Sequence, residues 1–165
     1  MDLTVVEGDI TRQDVDAVVN AANRGMRGGG GVDGAIHAAA GSGLLAECIE
    51  RFPHGLATGQ AGWTRGHGLR AAWVIHVVGP NYRAGERDRS LLVSCYASAL
   101  AVADEIGARS VAFPLVSAGI YGWPKDDAIH AAVDTLRSTS TRVEEARIVT
   151  LGRAAYDAVI AITGR

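Results

Sequence analysis

Lysine is almost missing: of 16 basic residues only Lys125 is one, and the rest are arginine. Such a bias reads as the codon usage of a GC-rich, bacterial genome rather than as chemistry. Cysteine is scarce too. Cys48 and Cys95 are the only two, far apart and without a CxxC partner, which excludes a disulfide framework and a thiolate zinc site. No apolar run approaches the roughly 18 residues of a membrane span, and the start MDLTVVEGD lacks a basic n-region and an apolar signal core. A cytoplasmic protein with no membrane partner is the expectation. Charge of one sign is also lacking. A net charge of −2 removes the electrostatic attraction of a nucleic-acid coat protein, so nucleic-acid binding is not indicated.

What the chain has in excess is glycine, 21 of 165 residues against roughly 7% in average proteins. The length suits one domain. Short β-branched strands are expected at Leu3–Glu7 and Asp16–Asn20, then at Ala61–Arg65, Trp73–Val78, Ser110–Val116 and Arg147–Leu151. Helical spacing of apolar residues marks Val32–Ala40, Leu44–Phe52, Ser90–Ile106, Lys125–Ser138 and Ala154–Ile162. Strands alternating with helices imply an α/β layered sheet with helices on both faces. The first two strands follow each other without a helix, which predicts a mixed sheet. There is no internal repeat and no linker.

Two glycine loops sit between a strand and a helix, Asn20–Gly34 and Pro114–Pro124. In open α/β sheets ligands bind beyond the carboxyl ends of the strands, where such loops gather. Gly28, Gly29, Gly30 and Gly31 leave bare N–H groups able to form an anion nest at a helix N-terminus, so a phosphate or diphosphate is the natural ligand. A merely mobile surface loop is the alternative, at a high cost in backbone entropy. Gly29, Gly31 and Gly34 satisfy GxGxxG formally, but the match lies well past its strand, and Glu47 and Glu50 fall in a helix where a ribose-binding acid should end the next strand. A GxxxxGK[ST] loop is absent, and the lone lysine is elsewhere.

The polar residues around the first loop carry the chemistry. Asn20 and Asn23 flank two alanines at the end of a buried strand, where an amide must be paired; capping the loop is the alternative for each. Asp33 stands where a helix begins and can be an N-cap. His37 lies one turn on along the same face, and an Asp–His pair beside an anion nest can orient a water or a hydroxyl. His76, inside WVIHVV, reads as a hydrogen-bonded core histidine. His54, His67 and His130 show no ligand spacing, so no metal is expected.

Together these motifs resemble the macrodomain family, specifically its MacroD-type ADP-ribosyl hydrolases. The resemblance rests on Gly8-Asp9-Ile10-Thr11, Val19–Asn23, GGGGVDGAIH at 28–37, Ala39–Gly41, Leu45–Cys48, Thr58-Gly59, Val74–Pro80 and FPLVSAGIYGWP at 113–124. It covers nearly the whole chain with order and spacing preserved. It implies a three-layer α/β/α sandwich around a mixed sheet and an activity without cofactor. The implied reaction removes mono-ADP-ribose from aspartate or glutamate esters of proteins, with deacetylation of O-acetyl-ADP-ribose as a second activity. Implied partners are therefore ADP-ribose and ADP-ribosylated proteins. Asp9, with Ile10 beside it, matches the acid that accepts from the adenine amino group. Gly28–Val32 and Ser117, Ala118, Gly119, Ile120 and Tyr121 match the loops enclosing the diphosphate and distal ribose, with Asn20 and Ala22 at the strand end beside them. Asn23, Asp33 and His37 match residues associated with hydrolysis. Two departures stand out: Ala118 replaces a threonine, and Leu151-Gly152-Arg153 stand where relatives place an aromatic against adenine. A binding module without catalysis and an ADP-ribose 1″-phosphatase are the rival readings.

Overall fold

The computed structural model describes residues 1–164. Six strands form one sheet in the order β1-β6-β5-β2-β4-β3: β1 Asp2–Glu7, β2 Ala17–Ala22, β3 Ala61–Arg65, β4 Trp73–Val78, β5 Ser110–Phe113 and β6 Glu145–Thr150. Helices α1 Gly31–Ala40 and α2 Ser42–Arg51 cover one face. Helices α3 Arg89–Ile106, α4 Lys125–Ser138 and α5 Arg153–Thr163 cover the other. The period-2 alternation of a strand divides the core between them. Val18, Val74, Ala112 and Val149 face α1 and α2, while Val19, Ile75, Val111 and Ile148 face α3, α4 and α5. Burial on both faces explains the near-continuous apolar runs. The result is the expected α/β/α sandwich with a mixed sheet.

The sheet is mixed for a reason other than the expected one. β1 and β2 are not neighbours; β1, β6, β5, β2 and β4 are all parallel in sequence of pairing. Only β3, antiparallel on β4 at the edge, breaks the pattern. Residues 8–16 cross the sheet between β1 and β2 with only a 3-10 turn at Ile10–Arg12 and no α-helix. Ile10 and Val15 from this segment are buried in the same cluster as Val18, Ile36 and Val149, so irregular chain occupies a layer that a helix usually fills.

Two boundaries matter for the site. β2 runs on to Ala22, which puts Asn20 inside the strand rather than at its end. β5 stops at Phe113 instead of Val116, because the next backbone groups find a side-chain partner. Tyr96 of α3, wholly buried, accepts from the Val116 N–H at 2.9 Å and has its hydroxyl 3.3 Å from the Pro114 carbonyl, to which it donates. Burial pushes the Tyr96 phenol pKa well up, so it remains a donor at any relevant pH. One hydroxyl thus anchors the start of the second glycine loop. Tyr96→Phe leaves a buried donor and acceptor unmatched, at a cost of about 1–3 kcal/mol. The urea midpoint is expected to fall at constant m-value; an unchanged midpoint would show that the loop is anchored elsewhere.

Candidate active site

Loop 23–30 follows β2 and loop 114–124 follows β5, so both rise from the carboxyl ends of parallel strands near the middle of the sheet. Together with the ends of β1 and β6 they enclose a cleft of about 780 Å³. Of the residues expected at a ligand, Asp9, Ile10, Ala22, Asn23, Gly29, Gly30, Gly31, Val32, Asp33, Ser117, Ala118, Gly119, Ile120, Tyr121 and Leu151 line it. Asn20, Gly28 and His37 do not; they stand behind or beside its wall.

Helix α1 begins on the cleft. Gly30 is its N-cap residue and no side chain caps it, so first-turn N–H groups that no helical carbonyl can take belong to residues that line the cleft. That is the geometry of an anion site. Asp33 is not the N-cap; it sits in the first turn, only 4% exposed. Its Oδ1 accepts from Asn20 Nδ2 at 2.8 Å and lies 3.4 Å from His37 Nε2. Its Oδ2 remains beside Gly29: a Cβ added there would stand 3.2 Å from both Asp33 Oδ2 and Asn23 Nδ2. Glycine at 29 therefore lets carboxylate and amide flank the same point of the cleft wall. Asn23 also ties its own loop, donating to the Gly28 carbonyl at 3.1 Å and accepting from the Met26 N–H at 3.3 Å. The loop-capping alternative for Asn23 is thus realised in the same side chain that lines the cleft.

In the second loop Ser117 adopts a left-handed backbone, φ 65°, uncommon for a non-glycine residue and a mark of a constrained site. Its hydroxyl donates to the Pro80 carbonyl at 2.8 Å, so its backbone rather than its oxygen faces the cleft. Ile120 reaches across to the first loop, its Cδ1 3.2 Å from where a Cβ on Gly30 would be. The two glycine loops therefore meet as a roof. At the far end Asp9 caps a 3-10 turn, taking the Thr11 N–H and hydroxyl on Oδ1 at 2.9 and 2.7 Å. These hydrogen bonds, the side-chain one foremost, hold its carboxyl below the usual range; Oδ2 pairs with Arg12 Nε at 3.7 Å and has acceptor capacity to spare. The surface beside it is Leu151, 88% exposed. Arg153 stacks over Tyr156 and pairs with Glu7 and Asp157, and neither ring nor guanidinium lines the cleft.

Sequence reasoning passed over Lys125, which lines the cleft at the start of α4. Its place directly after Pro124 and the second loop was the available signal. His76 is buried in β4 with hydrogen bonds on both nitrogens. Among the described residues, no three His, Cys, Asp or Glu side chains converge in a set able to hold a metal ion.

Comparison with known proteins gives a consistent picture. The family model of the Macro domain matches residues 19–132. A Macro domain-containing protein of Streptomyces coelicolor, SCO6450, is 52% identical over 98% of both chains. A Listeria monocytogenes relative of the same description is 47% identical over 90% of this chain and 89% of its own. Among solved structures, the Oceanobacillus iheyensis macrodomain with ADP superposes with a TM-score of 0.92 at 34% identity, covering 97% of this chain and 88% of that one. The Trypanosoma brucei macrodomain in complex with ADP-ribose gives 0.89 at 37%, covering 98% and 69%.

The packing of loop on helix is tight enough to test without a ligand. A Cβ on Gly34 would lie 2.6 Å from the Gly29 carbonyl oxygen, one residue past the Gly28 carbonyl that Asn23 holds. Alanine in a helix normally gains about 1 kcal/mol over glycine, but overpacking costs about 1–3 kcal/mol. The clash is expected to win, so Gly34→Ala lowers the unfolding midpoint. A stabilised Gly34→Ala protein would mean that the loop yields freely.

Proposed function

Because the chain belongs to the Macro domain family, we propose that it binds ADP-ribose and hydrolyses the ester bond joining a single ADP-ribose to an aspartate or glutamate side chain, with O-acetyl-ADP-ribose as a second substrate. On this reading Asp9 Oδ2 accepts from the adenine amino group, and Ile10 and Leu151 supply the apolar surface for the ring. The diphosphate lies against the first-turn N–H groups of α1 and the roof of the two loops, with Lys125 the one lysine available to it. The distal ribose then falls beside Asn23, Asp33 and Tyr121.

The observation that carries the enzyme over the binding module is the buried Asp33 carboxylate. A cleft built only to hold a dianion gains nothing from a fixed negative charge in its wall; the repulsion opposes binding. Such a group is useful if it orients a water and takes its proton during attack. Hydrolysis consumes one water and yields ADP-ribose and the free carboxyl group. Asn23, on the other side of Gly29, holds the ribose in line with that water. His37 shares Asp33 Oδ1 with Asn20, which supports the carboxylate rather than placing His37 on the substrate.

The test compares release of ADP-ribose from an ester-modified protein with calorimetric binding of free ADP-ribose. If Asn23 and Asp33 act mainly in the transition state, Asn23→Ala and Asp33→Ala each lose roughly 10²–10⁴ in kcat. Affinity for ADP-ribose stays within about tenfold, since backbone N–H groups supply the phosphate contacts. A folded parent that binds ADP-ribose yet releases none from any ester is a binding module. A double variant working at the parental rate would remove both residues from the reaction.

Adenine recognition gives a separate expectation. With no aromatic lining that end of the cleft, Asp9 bears more of the base readout, and Asp9→Ala weakens ADP-ribose binding by about 1.5–3 kcal/mol, the usual worth of a hydrogen bond to a charged group. Unchanged affinity in a folded Asp9→Ala protein would place adenine elsewhere.

A further inference from the structure

Behind the cleft wall runs a line of buried polar groups that binding and hydrolysis, as described, do not use. β2 and β4 pair with Asn20 directly opposite His76, on the face that Val18 and Val74 present to α1 and α2. Asn20, His76 and Thr64 are 0%, 1% and 0% exposed. Asn20 Nδ2 lies 2.8 Å from Asp33 Oδ1 and 3.1 Å from His76 Nδ1. His76 Nε2 lies 2.9 Å from Thr64 Oγ1, which itself donates to the Arg65 carbonyl at 3.1 Å.

These contacts admit one assignment of protons. An amide nitrogen only donates, so its two hydrogens go to Asp33 and to His76 Nδ1. The ring proton is then on Nε2 and is donated to Thr64, whose own hydroxyl hydrogen goes to the Arg65 carbonyl. Turning the Asn20 amide over would set its oxygen against the Asp33 carboxylate, acceptor against acceptor. The direction is also retained at a cost: among the described residues Asn20 Oδ1, buried, has no hydrogen-bond partner. Burial holds the His76 pKa down to about 3, so Nδ1 remains a free acceptor throughout the working pH range. The Phe52 ring packs edge-on against the imidazole, closing it off further.

We infer that Asn20, His76 and Thr64 are positioning residues for Asp33, locking Oδ1 into the protein interior so that Oδ2 faces the cleft. The inference rests on the hydrolase reading, since it gives Asp33 an orientation that matters in the transition state. Neither His76 nor Thr64 touches the cleft, so ligand binding is unaffected by their loss, while the alignment of the attacking water suffers. Misplacement of a reacting group by a fraction of an ångström to about 1 Å is enough to cost about ten- to a hundredfold in rate.

Thr64→Val keeps the shape and removes the oxygen acceptor for His76 Nε2–H, leaving only the weaker Cys48 Sγ at 3.9 Å; Thr64→Ser restores it. Expected are a fall in kcat of about ten- to a hundredfold for Thr64→Val on an ester substrate, KM and ADP-ribose affinity within about twofold, and a rate close to the parent for Thr64→Ser. Nitrogen-15 spectra of the parent are expected to show a neutral His76 ring protonated at Nε2 from pH 5 to pH 9, and Thr64→Val to disturb that tautomer. A parent ring protonated at Nδ1 overturns the inference without any variant. A parent that cleaves, with a Thr64→Val protein of equal kcat, defeats this inference alone, whatever the ring signal shows. A parent that cleaves no ester defeats the hydrolase reading and the inference together. Equal losses in rate and in ligand affinity for Thr64→Val would show general damage and count against positioning.

Discussion

A carboxyl group sealed into the wall of the cleft, in the uncapped first turn of α1, is the constraint around which this molecule is arranged. Removing a carboxylate from water is costly unless it is paired and hydrogen-bonded. Asp33 meets that demand through groups drawn from separate elements: the first turn of α1 that carries it, the Asn20 amide of β2 and the His37 imidazole one turn along the helix. The N-terminal end of a helix favours a nearby anion by about 0.3–1 kcal/mol, which is modest beside the burial penalty. The Asn20 N–H, 2.8 Å from Oδ1, must therefore carry more of the compensation. This is why α1 cannot drift relative to the sheet: moving the helix would strand the carboxylate. The glycines answer to the same constraint, since any side chain at Gly29 would press on Asp33 Oδ2 and Asn23 Nδ2.

Much of this was legible in the residues, and the misses are instructive. Short β-branched runs and 3.6-residue spacing located the six strands and five α-helices of the described residues, because each element buries one face or two. The antiparallel placement of β3 was not legible, since a short strand carries no signal of the direction of its partner. The end of β5 was missed because the Tyr96 hydroxyl, 20 positions before Val116 in the chain, takes the backbone bonds that a longer strand would have made. Asn20 illustrates the same limit at the site. As a polar residue next to an anion loop it was expected at the ligand. Two further residues of strand turn it into a buried cross-strand partner of His76. A glycine-rich loop has few roles, whereas a polar group in a strand takes its meaning from neighbours distant in sequence.

Lys125 is the converse case. Its rarity made it conspicuous, yet motif matching gave it no role, as no phosphate-loop spacing surrounds it. Position after a loop that rises from a central strand is a better guide than spacing alone, because the fold brings all such loops to one end of the sheet. The cleft is then polar in few places. Apart from Asp9, Asn23, Asp33, Ser117, Tyr121, Lys125 and Thr150 its lining is glycine, alanine, proline and aliphatic side chains. That is the composition expected where small residues bring backbone N–H groups close to a ligand and a handful of side chains set its orientation.

On the hydrolase reading the attack has to be made by water, and the side chains that would otherwise serve as nucleophiles show why. Burial pushes the Cys48 thiol up to about 11 and the Cys95 thiol up to about 12, so neither supplies a thiolate at neutral pH. The Ser117 hydroxyl is committed to the Pro80 carbonyl. Asp33 is left to handle a water, and the same shortage governs the leaving group. Tyr121 is the hydroxyl at that end of the cleft, and burial, with the Glu86 carboxylate nearby, raises its pKa, making it a poorer proton donor than an ordinary phenol. A leaving group must therefore depart with little help. A carboxylate can do so; the sugar hydroxyl released from an acetal bond between ADP-ribose units cannot. On that reading, preference for esters over polymer bonds follows from the absence, among the described residues, of a strong acid lining that end of the cleft.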